Sequence, residues 1–384
     1  MELHDKILQY LQDSYEETRQ LLEDICKIPA PSNHEERRAA FCKNWLEQNG
    51  AKGVYIDNAC NVVYPVNCAG REDIVVFMAH TDTVFPDMDT PMPYWWDEKR
   101  IYSPGVGDDT VCLVMMLMVI KYSIQNGLTP DCGILFVANA GEEGLGNLKG
   151  VKQIMSDYQG RINHVYTFDG QYDALVCKCV GSHRYKISIE TEGGHSFADF
   201  GKENAISVAA ELIHNLNQCQ IPQEQDSKTT YNIGVIEGGT SVNTIAQAAS
   251  FLYEYRSDSN VCLEKMKQFF ETQIEDMRCI CNAKISVETI GVRPCGQDVD
   301  EALLENMAQR VIAICQKHSG IPCKRTSGST DANIPMSMGI PAVCVGVYQG
   351  GGPHTREEYV EIASIPVGLK ITAELILGYF HQDI

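Results

Sequence analysis

Two adjacent glutamates, Glu142 and Glu143, stand in the stretch FVANAGEEGLGN, past an apolar run and before a Gly-rich turn. Like charges side by side repel, so a fold gains nothing from the pair by itself. The same pattern, an apolar run that ends in metal-capable side chains, recurs along the chain. VVFMAHTDT places His80 and Asp82 past such a run, and SPGVGDDT places Asp108 and Asp109 at the start of a helical pattern. VYTFDG contributes Asp169, and YQGGGPHTREEY contributes His354. Each has a plain reading when taken singly: a helix cap, the first residue of a turn, a hydrogen-bonded loop histidine. Gathered at one place, so many carboxylates would need cations to neutralise them. Two imidazoles with several carboxylates suit zinc, cobalt or manganese. The H-T-D spacing adds a detail. Residues two apart in an extended segment share a side, so Asp82 could accept a hydrogen bond from the His80 imidazole, fix its tautomer and raise its basicity.

The elements that must position these residues are those of an α/β protein. DIVVFMAH and GILFVANA read as strands buried on both faces, with NHVYTFDG a weaker third. EETRQLLEDICKI and RRAAFCKNWLEQNG carry helical periodicity, and DDTVCLVMMLMVIKYSIQNG reads as one buried helix. The same texture returns after about residue 293 with the helix DEALLENMAQRVIAICQKH, the strand PAVCVGVY and a last helix IPVGLKITAELILGYFH. Between the two halves the order is β-α-β-β-α-β, the ferredoxin-like arrangement. The expected architecture is therefore a sheet-and-helix domain, residues 1–182 and 293–384, interrupted by a smaller domain at 183–292. In an open α/β sheet the functional crevice lies beyond the carboxyl ends of the strands, where the candidate ligands fall.

Composition narrows the partners. The 384 residues carry a formal net charge of -20, which repels nucleic acid and anionic membranes. The acidic, amphipathic start MELHDKILQYLQDSYEET lacks the pattern of a secretory signal, and the longest apolar run, VCLVMMLMVI, is too short to span a bilayer. Sixteen cysteines are scattered through apolar stretches and read as reduced thiols of a cytoplasmic protein. The C-x-C pairs Cys177/Cys179 and Cys279/Cys281 lack the second half that a thiolate metal site needs.

The motifs H-T-D-T, G-D-D, E-E-G, F-D-G, G-G-H-S-F, G-S-T-D-A-N and P-H-T-x-E-E-Y, in that order across nearly the whole chain, resemble those of the co-catalytic metallopeptidase family of peptidase T, aminoacylase and succinyl-diaminopimelate desuccinylase. The peptidase T-like branch is the most similar. The resemblance implies two divalent ions, zinc first among the candidates, bridged by Asp108. His80 and Asp169 would complete one site, Glu143 and His354 the other, with Asp82 as the orienting partner. It implies that Glu142 is the general base, that the Asp108–Asp109 peptide is cis, and that the inserted domain is a lid able to form a homodimer. From that lid, His195 and Asn243 would approach the reacting carbonyl and Arg256 the substrate carboxylate. Thr110 departs from the pattern, because related sequences commonly have Lys after D-D. The expected activity is hydrolysis of short peptides from the N-terminus. The alternative is cleavage of N-acyl amino acids on the same fold. A non-catalytic relative would have lost Glu142 or a ligand, and every one is present.

Overall fold

Ile74–His80 and Gly133–Asn139 are runs of seven residues, all buried, as strands covered on both faces must be. In the computed structural model, which describes residues 3–88 and 91–381, they lie at the centre of an eight-stranded sheet. In chain order its strands are β1 (Tyr55–Ile56), β2 (Val62–Val66), β3 (Ile74–His80), β4 (Gly133–Asn139), β5 (Ile162–Phe168) and β6 (Ala174–Cys179). The chain then forms a separate sheet from β7 (Gly181–Glu190), β8 (Thr229–Gly238), β9 (Ala248–Ser257) and β10 (Lys284–Arg293). It returns to the first sheet with β11 (Lys324–Gly328) and β12 (Ala342–Val345). The large sheet runs β1-β2-β4-β3-β5-β12-β6-β11. Its middle is parallel, since β3 pairs in parallel with both β4 and β5, and β5 with β12. The carboxyl ends of β3, β4 and β5 therefore share one edge.

Two compact units result, Met1–Cys179 with Gln297–Ile384, and Val180–Gly296. The expected joints at 182/183 and 292/293 move outward by a few residues. The reason is the ladder: Gly181 and Ser182 already pair with Ser257 and Arg256, and Arg293 pairs back with Ser182. The inserted unit is an antiparallel sheet in the order β8-β9-β7-β10. Ile187, Phe251, Tyr253 and Tyr255 pack with Phe270 of the helix Asn260–Ile280 and Leu212 of the helix Ala205–Leu216. Both helices start on side-chain caps, Asn204 accepting from the Ile206 N–H and Ser259 from the Cys262 N–H.

In the larger unit the helix Cys112–Gln125 is apolar almost all round and is buried accordingly, against the helix Ile365–Leu377. Sequence periodicity ran this helix back to Asp108. Instead, Asp108 has non-helical φ/ψ of -104° and 93°, within a wide turn over Val106–Val111. Strands β1, β2, β6 and β11 and the small sheet of Trp95–Trp96, Arg100–Tyr102, Gly350–Gly351 and Tyr359–Glu361 gave too short an apolar signal to be read in advance. The expected strand at PAVCVGVY stops at Val345, because Gly346 lies hard against Gln171, whose carbonyl oxygen would be 1.9 Å from a Cβ there. All sixteen cysteines are free thiols. Among the described residues no helix is long and apolar enough to cross a membrane.

One turn of the larger unit is folded back on itself. Leu148 donates its N–H to Gly141 at 2.8 Å and Gly146 to Glu143 at 2.7 Å. A Cβ on Gly146 would come within 2.3 Å of the Gly141 Cα, whereas one on Gly144 meets nothing within 4 Å. Gly146→Ala should therefore cost about 1–3 kcal/mol by overpacking, and Gly144→Ala should stay within about 0.5 kcal/mol of wild type. Thermal unfolding of the two variants measures the difference. Equal midpoints would show that the turn can open without loss.

Candidate metal centre

Three strand ends and two loops deliver the candidate ligands. His80 is the last residue of β3, Glu142 and Glu143 follow β4, and Asp169 follows β5. Asp108 sits in the Val106–Val111 turn, and its peptide bond to Asp109 is cis, as the resemblance implied. His354 lies in the loop after β12, in the left-handed region at φ 63°. Side-chain ligand atoms meet in three groups, each with all its atoms within 4.8 Å of one another: His80–Asp108–Asp169, Asp108–Glu143–His354 and His80–Glu142–Glu143.

Asp108 joins the first two. Its Oδ1 lies 2.9 Å from His80 Nε2, and its Oδ2 lies 3.1 Å from His354 Nε2. His354 Nε2 is also 3.2 Å from Glu143 Oε1. The other ring nitrogen of His80, Nδ1, lies 3.0 Å from the Asp82 carbonyl oxygen. A carbonyl only accepts, so Nδ1 carries a proton and the Nε2 lone pair of the neutral ring faces a carboxylate. Two acceptors in that position need a cation, either a proton or a metal ion. Without a metal the proton is held tightly. Burial pulls the His80 pKa down, but Asp108 and Asp82 outweigh it and leave it well above the usual histidine value. Asp108 and Glu143 raise His354 to about 10. Burial, then Asp108, raises Asp169 to about 7. These clustered acids and imidazoles are the donor chemistry of a divalent cation site, and the residues present fit such ions.

The expected role of Asp82 changes in part. Its carboxylate is 3.5 Å from His80 Nδ1, and the nearer partner is its own backbone carbonyl. The carboxylate instead receives the N–H groups of Glu142 at 2.9 Å and Glu143 at 3.0 Å and the Ser32 hydroxyl at 2.6 Å. It anchors the paired glutamates and orients the imidazole through the main chain. Asp109 turns away from Asp108 and accepts the His80 N–H at 2.9 Å, so the two aspartates divide between cluster and scaffold. Thr110, the departure from the family pattern, donates to the Gly105 carbonyl at 2.6 Å and accepts from Arg38 at 3.2 Å. In the G-S-T-D-A-N motif, Asp331 accepts from Asn139 at 2.6 Å, and the Asn139 carbonyl holds the Thr81 N–H at 2.7 Å.

Glu358 was missed, although it stands in P-H-T-x-E-E-Y. Its buried carboxylate accepts three backbone N–H groups, from Gly105 at 2.7 Å, Gly107 at 2.8 Å and Asp108 at 2.7 Å. It thus clamps the turn that presents Asp108. Only its motif hinted at a role, since its partners are main-chain groups about 250 residues away.

The inserted unit has its own cluster. Gly194–His195 pairs antiparallel with Thr244–Ile245, and the Ser196 N–H reaches the Asn243 carbonyl at 3.0 Å, so the ladder brings His195 and Asn243 together. His195 Nδ1 accepts from the N–H groups of Phe197 and Ala198, both at 3.3 Å. The neutral ring therefore carries its proton on Nε2. Arg256 does not present an uncommitted guanidinium: Nε and Nη2 both bond Glu254, each at 3.0 Å.

If Glu358 is the clamp, its removal leaves buried donors unsatisfied at about 1–3 kcal/mol each. Glu358→Ala should lower the unfolding midpoint strongly, while Glu357→Ala, at an exposed neighbour, should not. Equal midpoints for the two would show that the turn is held by other contacts.

Known proteins agree with the fold. The chain is 24% identical to YqjE of Bacillus subtilis, over 95% of this chain and 98% of that one. The structure of a tripeptidase from Staphylococcus aureus superposes with a TM-score of 0.73 at 23% identity, covering 94% of this chain and 97% of that one. The aminopeptidase PepT of Bacillus cereus superposes with a TM-score of 0.69 at 22% identity, covering 94% and 98%. Residues 76–378 match peptidase family M20/M25/M40. With that match spanning the metal-capable cluster, the chain belongs to this family and is a hydrolase of peptide or amide bonds.

Proposed function

We propose that the protein is a dinuclear metal-dependent exopeptidase that removes N-terminal residues from short peptides. The observation that carries this reading is Asp108, whose two oxygens face two different imidazoles. His80, Asp108 and Asp169 would hold one ion, and Asp108, Glu143 and His354 the other. Zinc is the first candidate. When bound, such ions polarise the amide carbonyl and acidify water.

The chain's own residues supply the rest. Glu142 takes the proton of the attacking water and delivers it to the leaving amine. Asp82 makes this division of labour possible by fixing the N–H groups of both glutamates, so one can ligate while its neighbour transfers protons. His195, with its proton on Nε2, is a donor for the developing oxyanion, and Asn243 stands beside it. Arg256 would exchange Glu254 for the substrate carboxylate, a swap between equivalent bidentate partners. The inserted unit acts as the lid and as the surface of a homodimer. The tripeptidase and PepT likenesses favour peptides with a free amino terminus over N-acyl amino acids.

Metal counting after dialysis tests the centre. Asp108→Ala should lose both ions, and full occupancy in that variant would remove the bridging role. Glu142→Gln should keep its metals and lower kcat by at least about 10²-fold; near-normal turnover would place the base elsewhere. Substrate class follows from a panel of di- and tripeptides against N-acetyl and N-succinyl amino acids. Free tripeptides should be cleaved fastest, and a preference for N-acyl substrates would assign the protein to the deacylases instead.

A further inference from the structure

Arg38, on the helix Glu36–Gln48, is 1% exposed and is the largest of the fully buried side chains. Its Nε donates to the Ile28 carbonyl at 2.7 Å, and its Nη1 donates to the Thr81 carbonyl at 2.9 Å and the Thr110 hydroxyl at 3.2 Å. Nη2 is buried without a hydrogen-bond partner. All three acceptors are neutral oxygens. A buried cation with only neutral partners costs several kcal/mol, and a chain selected for stability alone would place an apolar residue there.

The two threonines explain its retention. Thr81 lies between His80 and Asp82, and Thr110 follows Asp108–Asp109. One guanidinium thus ties together the two segments that carry His80, Asp82 and Asp108. Burial pushes the Arg38 pKa down, while Cys26, Cys42, Asp82 and Glu358 oppose that fall, so two acids that brace the centre also act on this charge.

We infer that Arg38 is a positioning residue of the metal centre: a fixed positive charge that holds the His80–Asp82 segment and the Asp108 segment in register and offsets the repulsion among their carboxylates. It touches neither substrate nor ligand atoms and acts through Thr81 and Thr110. The inference rests on the dinuclear reading.

The test compares wild type with Arg38→Met and Arg38→Lys. Affinity for Zn²⁺ and Co²⁺ is read by competition with a chelating dye, and folding by circular dichroism. Loss of a residue that supports ligands costs about 10–100-fold in metal affinity, and Arg38→Met should show a loss on that scale while remaining folded. Arg38→Lys keeps the charge on a stem as long as that of methionine, so its affinity should lie above that of Arg38→Met and below wild type, because the planar fork is lost. A packing role would treat Met and Lys alike. Wild-type affinity in Arg38→Met, or equal losses in the two variants, overturns the inference. Should Arg38→Met fail to fold, Arg38→Lys alone decides: weakened retention supports the tether, and wild-type retention overturns it. If wild type itself retains no divalent ion, the dinuclear reading falls and this inference with it. Retention in wild type with no change in the variants removes only the inference.

Discussion

The carboxylate of Asp108 stands between two imidazoles that come from positions 80 and 354 of the chain, and the surrounding structure is arranged to keep it there. A half-buried aspartate flanked by further acids is an expensive group to hold in place. Its own backbone N–H is taken by Glu358, and the neighbouring Asp109 takes the N–H of His80. Acids thus hold the main chain on each side of the cluster while other acids form the cluster. Each scaffold carboxylate accepts N–H groups that would otherwise be unsatisfied, so burial of its charge is offset by the hydrogen bonds it makes.

The sheet accounts for the convergence. Parallel strands β3, β4 and β5 point their carboxyl ends the same way, so loops distant in sequence open onto one edge. The paired glutamates work there because their environments differ at the main chain before they differ at the side chain. Asp82 grips both N–H groups, and the turn behind them is closed by Gly141 and Gly146. Two neighbouring carboxylates with fixed backbones can then face separate tasks.

His80, Glu143 and Asp169 were legible as candidates because strand ends announce themselves by composition, and a carboxylate or imidazole at or just beyond one is visible without coordinates; Asp108 and His354 stand in loops and were singled out by their motifs, G-D-D and P-H-T-x-E-E-Y. Glu358 and Arg38 were not legible as scaffold, because their partners are backbone or hydroxyl groups that carry no side-chain signature, and Ser32 was not, because its partner Asp82 stands fifty residues further along the chain. Asp82 was read with the right neighbour and an incomplete bond: periodicity placed it beside His80, but only the fold reveals that the Glu142–Glu143 turn comes to meet it. The central strands were read from continuous apolar runs. Strands such as Tyr55–Ile56 and Lys324–Gly328 were not, since they are short or largely exposed. The inserted unit's helix and strand order was readable, while its joints were not, because the ladder extends past the last residue with clear alternation.

The place of β12 in the large sheet has a bearing on how the chain comes to be folded. Residues 342–345 lie between β5 and β6, both of which precede the inserted unit, so the latest strand of this sheet fills its interior and not its rim. During synthesis, the first half of the larger unit must wait with one edge of β5 and both edges of β6 open, because β11 is also still to come, while the whole of Val180–Gly296 is made. Open edges are templates for pairing with other chains, and contacts this distant in sequence form slowly. His354 and Glu358 emerge only after that strand. Completion of the sheet and completion of the ligand cluster are therefore a single late event, and a nascent chain exposes no finished centre before its sheet can close.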